Sequence, residues 1–393
     1  MPVTWHLYRV MRKKPWHSRF LLPRRSLDAR ETFQRLPGPL DREFWVQLFP
    51  GYNSYSFLYI GQYGEVQMAE LNASAKIWHN GELIPWDDAH IHVCSHVVHY
   101  ASAVFEGIRC YNTQSGPAVF RLDEHVKRLC RSARIYRMPI EIGADGLQEA
   151  CLKTIQANQL ESCYIRPIVF RGYHSLGVDP TSCPVEIYVA VFEFDKYLGD
   201  EALEQGVDVM VSSWNRVATN TLPGIAKAAA NYMNAALIKM EAVQNGYVEG
   251  IALDARGYVS EGSGENVFIV QDDQIITPPI AASVLPGITR DVVMVLAKEL
   301  GYSVEEADIP RENLYTADEV FFTGTAVEVT PVSSVDKIAV GTGQRGPITA
   351  QIQEAFFKYV EGRAEDRHGW LTPVYAKDRT VDIPPIVPVS ASS

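Results

Sequence analysis

The chain has 393 residues, 47% of them hydrophobic, with a formal net charge of −11 and an isoelectric point of about 5.4. That length and apolar content suffice for two buried cores, while the acidic balance argues against a nucleic-acid partner. No apolar run reaches the length of a membrane span, and Cys94, Cys110, Cys130, Cys151, Cys163 and Cys183 form no C-x-x-C pattern, so reduced structural thiols in a cytoplasmic compartment are expected rather than disulfides or zinc.

Residues 1–67 carry ten Lys/Arg against five Asp/Glu, whereas the remainder carries a net −16. This basic leader has no sustained period, and it reads as disordered or as an over-extended start before Met68; an organellar transit segment and an accessory segment are the alternatives. Residues 68–190 read as a small α+β domain. Ala118–Leu122 is a predicted strand, Glu124–Met138 and Leu147–Asn158 are helices, and Cys163–Arg171 and Val185–Phe194 are buried strands. His90, His92, His96 and His99 recur at helical spacing but lack acidic partners, so they are assigned to packing and no metal is expected. Periodicity lapses over 191–203, the expected interdomain loop. A larger domain over 204–372 follows, beginning with the strand at Val207, and a Pro/Ser-rich tail is expected over 373–393.

The larger domain carries the chemistry. Lys227 lies in Asn220–Tyr232 (NTLPGIAKAAANY), after a Pro-Gly turn and before an Ala-rich helix; small, weakly polar neighbours suit a lysine that forms a Schiff base with an aldehyde. Glu261 follows 34 residues further on in Ser260–Asn266 (SEGSGEN), where a strand–turn–strand unit over Gly250–Val259 gives way to small residues. Leu285–Arg290 (LPGITR) opens an amphipathic helix with apolar Val292, Val293, Leu296 and Leu300, stopped by Gly301, and its free N–H groups form an anion site. Glu319–Ala326 is an apolar strand running into a Gly-Thr turn rich in backbone donors. Pyridoxal phosphate requires these three things in combination: a lysine, a carboxylate for the ring nitrogen, and a phosphate cup.

With Trp78–Trp86 (WHNGELIPW), His99–Tyr111 (HYASAVFEGIRCY) and Tyr164–Pro167 (YIRP), these motifs cover roughly three quarters of the chain. From Ile77 to Leu371 it resembles the branched-chain amino-acid aminotransferases, fold-type-IV pyridoxal-phosphate enzymes with two domains, classed α+β or α/β, and the active site between them. The resemblance implies that Lys227 is the catalytic lysine, that Tyr232 bonds the cofactor's phenolic oxygen and that Glu261 meets its ring nitrogen. It places Arg128, Ile288, Thr289, Gly324 and Thr325 on the phosphate. Read from its helix alone, Arg128 belongs to a solvated, cation-rich face.

The same resemblance lines the substrate pocket with Tyr100, Phe105, Gly107, Tyr164, Arg166, Val178 and Tyr197. It sets the substrate α-carboxylate on Thr325 and Ala326, and it brings Val178 in from a neighbouring subunit. An arginine in an apolar strand needs an acid, and Arg166 becomes the clamp for the distal carboxylate of glutamate and 2-oxoglutarate, alternating with leucine, isoleucine or valine side chains. A homodimer is implied, with a trimer of dimers left open. Phe194 replaces the tryptophan common in bacterial relatives, and Phe170–His174 is more polar and aromatic than usual; both leave the side-chain preference open. D-amino-acid or amine transaminases, aminodeoxychorismate lyase and a non-catalytic cofactor carrier are the rival readings.

Overall fold

The computed structural model describes residues 74–194 and 200–375, together with the backbone of two strands, β1 (Phe33–Leu36) and β2 (Phe44–Gln47). These two pair antiparallel, Phe33 opposite Gln47, so the leader contains a strand pair where no strand period was expected; the sequence between them holds Pro37, Gly38 and Pro39, residues that favour a chain reversal. The rest of the leader, the centre of the interdomain loop at 195–199 and the tail from 376 lie outside the described residues.

The body is built on two sheets. The first takes β3 (Lys76–His79), β4 (Glu82–Pro85), β5 (Ala103–Phe105), β6 (Ile108–Thr113), β7 (Gly116–Phe120), β8 (Cys163–Arg171) and β9 (Val185–Phe192). The predicted strand at 163 is reproduced residue for residue, and β9 stops two residues early. Helices α1 (His96–Tyr100), α2 (Leu122–Ile135) and α3 (Gly143–Asn158) accompany this sheet. The helix expected to run to Met138 ends at Ile135 because Arg137 turns left-handed (φ 54°), which drops Met138 into the core outside the helix.

The chain resumes with α4 (Asp200–Gln205), so the C-terminal end of the expected loop is helical. The second sheet takes β10 (Val207–Val211), β11 (Glu249–Leu253), β12 (Val259–Gly262), β13 (Asn266–Gln271), β14 (Gln274–Thr277), β15 (Val304–Glu306), β16 (Glu319–Gly324), β17 (Glu328–Val335) and β18 (Ile338–Ala339). Its helices are α5 (Ala229–Gln244), α6 (Ile288–Glu299), α7 (Asn313–Thr316) and α8 (Pro347–Val360). In α6, Val292, Val293, Leu296 and Ala297 form the buried face, but Leu300 is 42% exposed: it is the C-cap residue and has already left the helical stripe when Gly301 (φ 93°) ends the turn.

The last strand, β19 (Leu371–Pro373), returns to the first sheet beside β7, and Val374 behind it is buried. Packed chain therefore runs to Tyr375, past the expected start of the tail, because the strand needs a partner and Gln156 Nε2 donates to Val374 O at 2.6 Å. Phe120 on β7 packs edge-on against Phe356, Tyr359 and Trp370, joining the first sheet to the core of the second.

Candidate active site

Lys227, half-buried, lies just before α5 and is held against β5 and α2 of the first half of the chain. Its Nζ donates to the Tyr232 hydroxyl at 2.6 Å, and the amine lies over the rings of Phe105 and Tyr232 at 5.3 and 5.0 Å. The backbone is held equally well. Lys227 N donates to Ser132 Oγ on α2, Phe105 N donates to Lys227 O at 3.0 Å, and Ala228 bridges to Val104 on β5. Nothing helical begins before Ala229, so the lysine projects from an extended segment rather than from the helix that follows.

Glu261, on β12, is buried beneath an adjoining cavity lined in part by Arg216, Tyr232, Asn266 and Leu285. Arg216 Nη2 stands 2.7 Å from its Oε1, while Asn266 Nδ2 and Leu285 N each donate to Oε2 at 3.0 Å. Burial pushes the Glu261 carboxyl up, and the Arg216 charge and the Leu285 N–H oppose that shift. Asn266 also donates to Leu285 O, and its Oδ1 occupies the space a side chain at Gly287 would fill, 1.9 Å from an ideal Cβ. Glycine at 287 thus lets Asn266 tie the carboxylate to the start of α6.

That helix start is open. Gly287 caps it without a side-chain hydrogen bond, leaving the N–H groups of Ile288 and Thr289 aimed outward with the positive dipole end. Gly324, Thr325 and Ala326, half-exposed, lead from β16 into the tight turn to β17. Arg128, read from its helix as a solvated cation, is in fact 7% exposed. Its Nε and Nη2 donate to Glu106 at 2.6 and 2.8 Å, and Nη1 donates to Pro286 O at 2.8 Å, immediately before the open helix start.

Tyr164 packs between Phe192 and Phe194 at ring distances of 5.6 and 4.7 Å, and its hydroxyl lies where a Cβ on Gly107 would be, 1.9 Å away. Phe105 meets Tyr232 edge-on at 4.8 Å. Arg166 stands between these walls, its guanidinium carbon 5.0 Å from the Phe105 ring and 5.3 Å from that of Tyr164. Among the described residues it has no ion pair, and its buried Nε has no hydrogen-bond partner. Tyr100, the last residue of α1, lies against the surface loop that carries Val178: its Oη donates to Leu176 O, and Val178 is 81% exposed. Tyr197 lies outside the described residues.

Three of the four histidines are engaged in ordinary bonding: His96 contacts Ser102 Oγ and Gly177 O, His99 contacts Val93 O, and His92 accepts from Cys94 N. Sequence reasoning passed over Glu106, His125, Arg216 and Asn266. A lone acid in the run Val104–Ile108 was a readable signal for Glu106, since a buried carboxylate requires a partner; Arg216, in a polar loop, gave none.

The two carboxylate and lysine poles, the uncapped helix and the buried arginine fit pyridoxal phosphate, and the unmet Arg216 Nε at the carboxylate end leaves a donor to spare. Residues 103–335 match the family model of amino-transferase class IV. The chain belongs to that class. It is 54% identical over 299 residues to the branched-chain-amino-acid aminotransferases of Salmonella typhimurium and Escherichia coli, covering 76% of this chain and 97% of theirs. The crystal structure of the Escherichia coli enzyme superposes with a TM-score of 0.76 at 53% identity, over 77% of this chain and all of that one. The T.th. branched-chain amino acid aminotransferase with pyridoxamine 5'-phosphate gives 0.75 at 47%, over 77% and 99%. Within its class the protein is a pyridoxal-phosphate-dependent branched-chain-amino-acid aminotransferase.

Proposed function

We propose that the protein transfers the amino group of leucine, isoleucine or valine to 2-oxoglutarate, serving the synthesis and breakdown of these amino acids, and that Arg166 allows one pocket to take both substrates. The observation that carries this reading is Arg166 itself, a half-buried guanidinium between Phe105 and Tyr164 with no acid of its own among the described residues. An aliphatic side chain packs on the two rings, and a distal carboxylate meets the guanidinium. A bound substrate analogue in a relative has the matching chemistry: the T.th. enzyme, with a TM-score of 0.74 at 46% identity, was solved with N-(5'-phosphopyridoxyl)-L-glutamate.

Pyridoxal phosphate supplies the aldehyde that takes up the amino group and the ring that spreads the negative charge left at the substrate Cα. Lys227 holds the cofactor between turnovers and, once free, takes the Cα proton on Nζ, with the Tyr232 hydroxyl 2.6 Å away keeping the amine in place and bonding the phenolic oxygen. Glu261, fixed by Arg216, Asn266 and Leu285, holds the ring nitrogen's proton. Arg128, the N–H groups of Ile288 and Thr289, and the Gly324–Thr325 turn hold the phosphate; Thr325 and Ala326 hold the substrate α-carboxylate. Tyr100, Gly107, Tyr164, Tyr197 and a partner's copy of the Val178 loop complete the pocket in a homodimer, a reading supported by the exposure of Tyr100, Tyr173, Leu176 and Val178 together on one surface. Six free thiols accord with a cytoplasmic setting.

The test is Arg166→Met, followed in separate half-reactions. Removing the cation leaves a carboxylate without its partner, a loss on the order of 3 kcal/mol at a half-buried site. The Michaelis constant for 2-oxoglutarate should therefore rise steeply, while the single-turnover rate with leucine changes little. Equal losses in both half-reactions would make Arg166 a structural residue and sink the proposal.

A further inference from the structure

Arg128 does not stand alone at the phosphate end. Helix α2 turns one face toward the site, and along it His125, Arg128 and Ser132 follow at spacings of three and four residues, all buried. Ser132 accepts the backbone N–H of Lys227. Glu106, which follows β5, is wholly buried, and both of its oxygens are taken: Oε1 by Arg128 Nε, and Oε2 by Arg128 Nη2 at 2.8 Å, His125 Nδ1 at 2.7 Å and, more weakly, the Gly107 N–H at 3.3 Å.

We propose that Glu106 and His125 are positioning residues of the phosphate site, Glu106 locking the Arg128 guanidinium in one plane and His125 fixing the rotation of Glu106. The inference rests on the reading of Arg128 as a phosphate ligand. A guanidinium has five N–H donors. Two go to Glu106 and one to Pro286 O, so two remain, on Nη1 and Nη2, beside the open start of α6. The two-pronged pair removes the side-chain freedom that a long cation would otherwise lose on meeting an anion. Burial alone would raise the Glu106 carboxyl, but the charges and hydrogen bonds of Arg128 and His125 outweigh it and hold the group well below the usual carboxylate range. Burial in turn lowers the His125 imidazole against the pull of Glu106.

Neither residue hydrogen-bonds the side chain of Lys227 or of Glu261, so the larger effect should fall on the phosphate. The experiment compares the affinity of the cofactor-stripped, full-length protein for pyridoxal phosphate and for pyridoxal, which lacks the phosphate, by fluorescence titration. Partners that orient a ligating side chain typically contribute about tenfold to a hundredfold in affinity. Glu106→Gln and His125→Leu should weaken pyridoxal phosphate by about that factor and leave pyridoxal within about threefold. His125→Asn, which keeps a donor near Nδ1, should recover most of the loss.

Arg128→Met separates the two levels of the argument. If it collapses the preference for pyridoxal phosphate while Glu106→Gln and His125→Leu leave that preference intact, the positioning role is overturned and the phosphate reading of Arg128 stands. If Arg128→Met leaves the preference unchanged, both fall. Should Glu106→Gln fail to fold, His125→Leu, which retains the Arg128–Glu106 pair, decides the question alone.

Discussion

Replacing Glu265 with glutamine should change how stability depends on pH. Glu265 follows the Ser/Gly turn after Glu261, is 6% exposed, and accepts the Gly264 N–H at 3.0 Å. Its neighbour Glu249 has Lys239 Nζ at 2.9 Å. Burial and the negative charge of Glu249 push the Glu265 carboxyl up from 4.5 to about 8, against the Gly264 N–H and Lys239. Between those two values the folded protein holds a proton that the unfolded chain has released, so stability is greatest below the lower value and falls as pH rises through the upper one. At about 1.4 kcal/mol per pH unit the loss is bounded by about 5 kcal/mol, and sharing of the proton with Glu249 reduces it. Glutamine keeps the shape and cannot titrate. In urea unfolding of the cofactor-free protein from pH 5 to 9, the variant should gain on the wild type by about 1 to 5 kcal/mol as pH rises to 8, then run parallel to it. A difference curve that is flat or slopes the other way would show that Glu265 is ionised in the folded protein.

Lys227→Ala should abolish the visible absorbance of the covalently held cofactor and nearly all turnover; an unchanged spectrum would remove the central assignment. Gly107→Ala places a methyl group 1.9 Å from the Tyr164 hydroxyl, in a ring stack with little room to yield. Overpacking of this kind costs about 1–3 kcal/mol, so the urea midpoint should fall at constant slope and the Michaelis constants for leucine and 2-oxoglutarate should rise together; wild-type constants would mean that Tyr164 does not line the pocket.

What the sequence made legible follows from how local each signal is. The strand at 163–171 and the helix start at 288 are written in short runs, by apolar content in one and a Pro-Gly turn in the other. Lys227 and Tyr232 are five residues apart, and the turn into α5 brings them together. Arg128 was opaque because its partner, Glu106, lies on another element 22 residues away, and a cation-rich helix hides which of its cations faces inward. Leu300 misled because periodicity carries on in sequence after the backbone has left the helix. The return of β19 to the first sheet has no local signature, since edge pairing depends on which strand is left uncovered.

The attachment of the Lys227 segment has a consequence for motion. A lysine carried by the second half of the chain has its backbone N–H on Ser132 and its carbonyl on Phe105, both from the first half. Prising the sheets apart would break the very contacts that aim the amine, so the aim of Lys227 depends on the two halves keeping their contact there. Motion confined to a short edge of the cleft, such as the turn at 325–327, would leave that aim undisturbed.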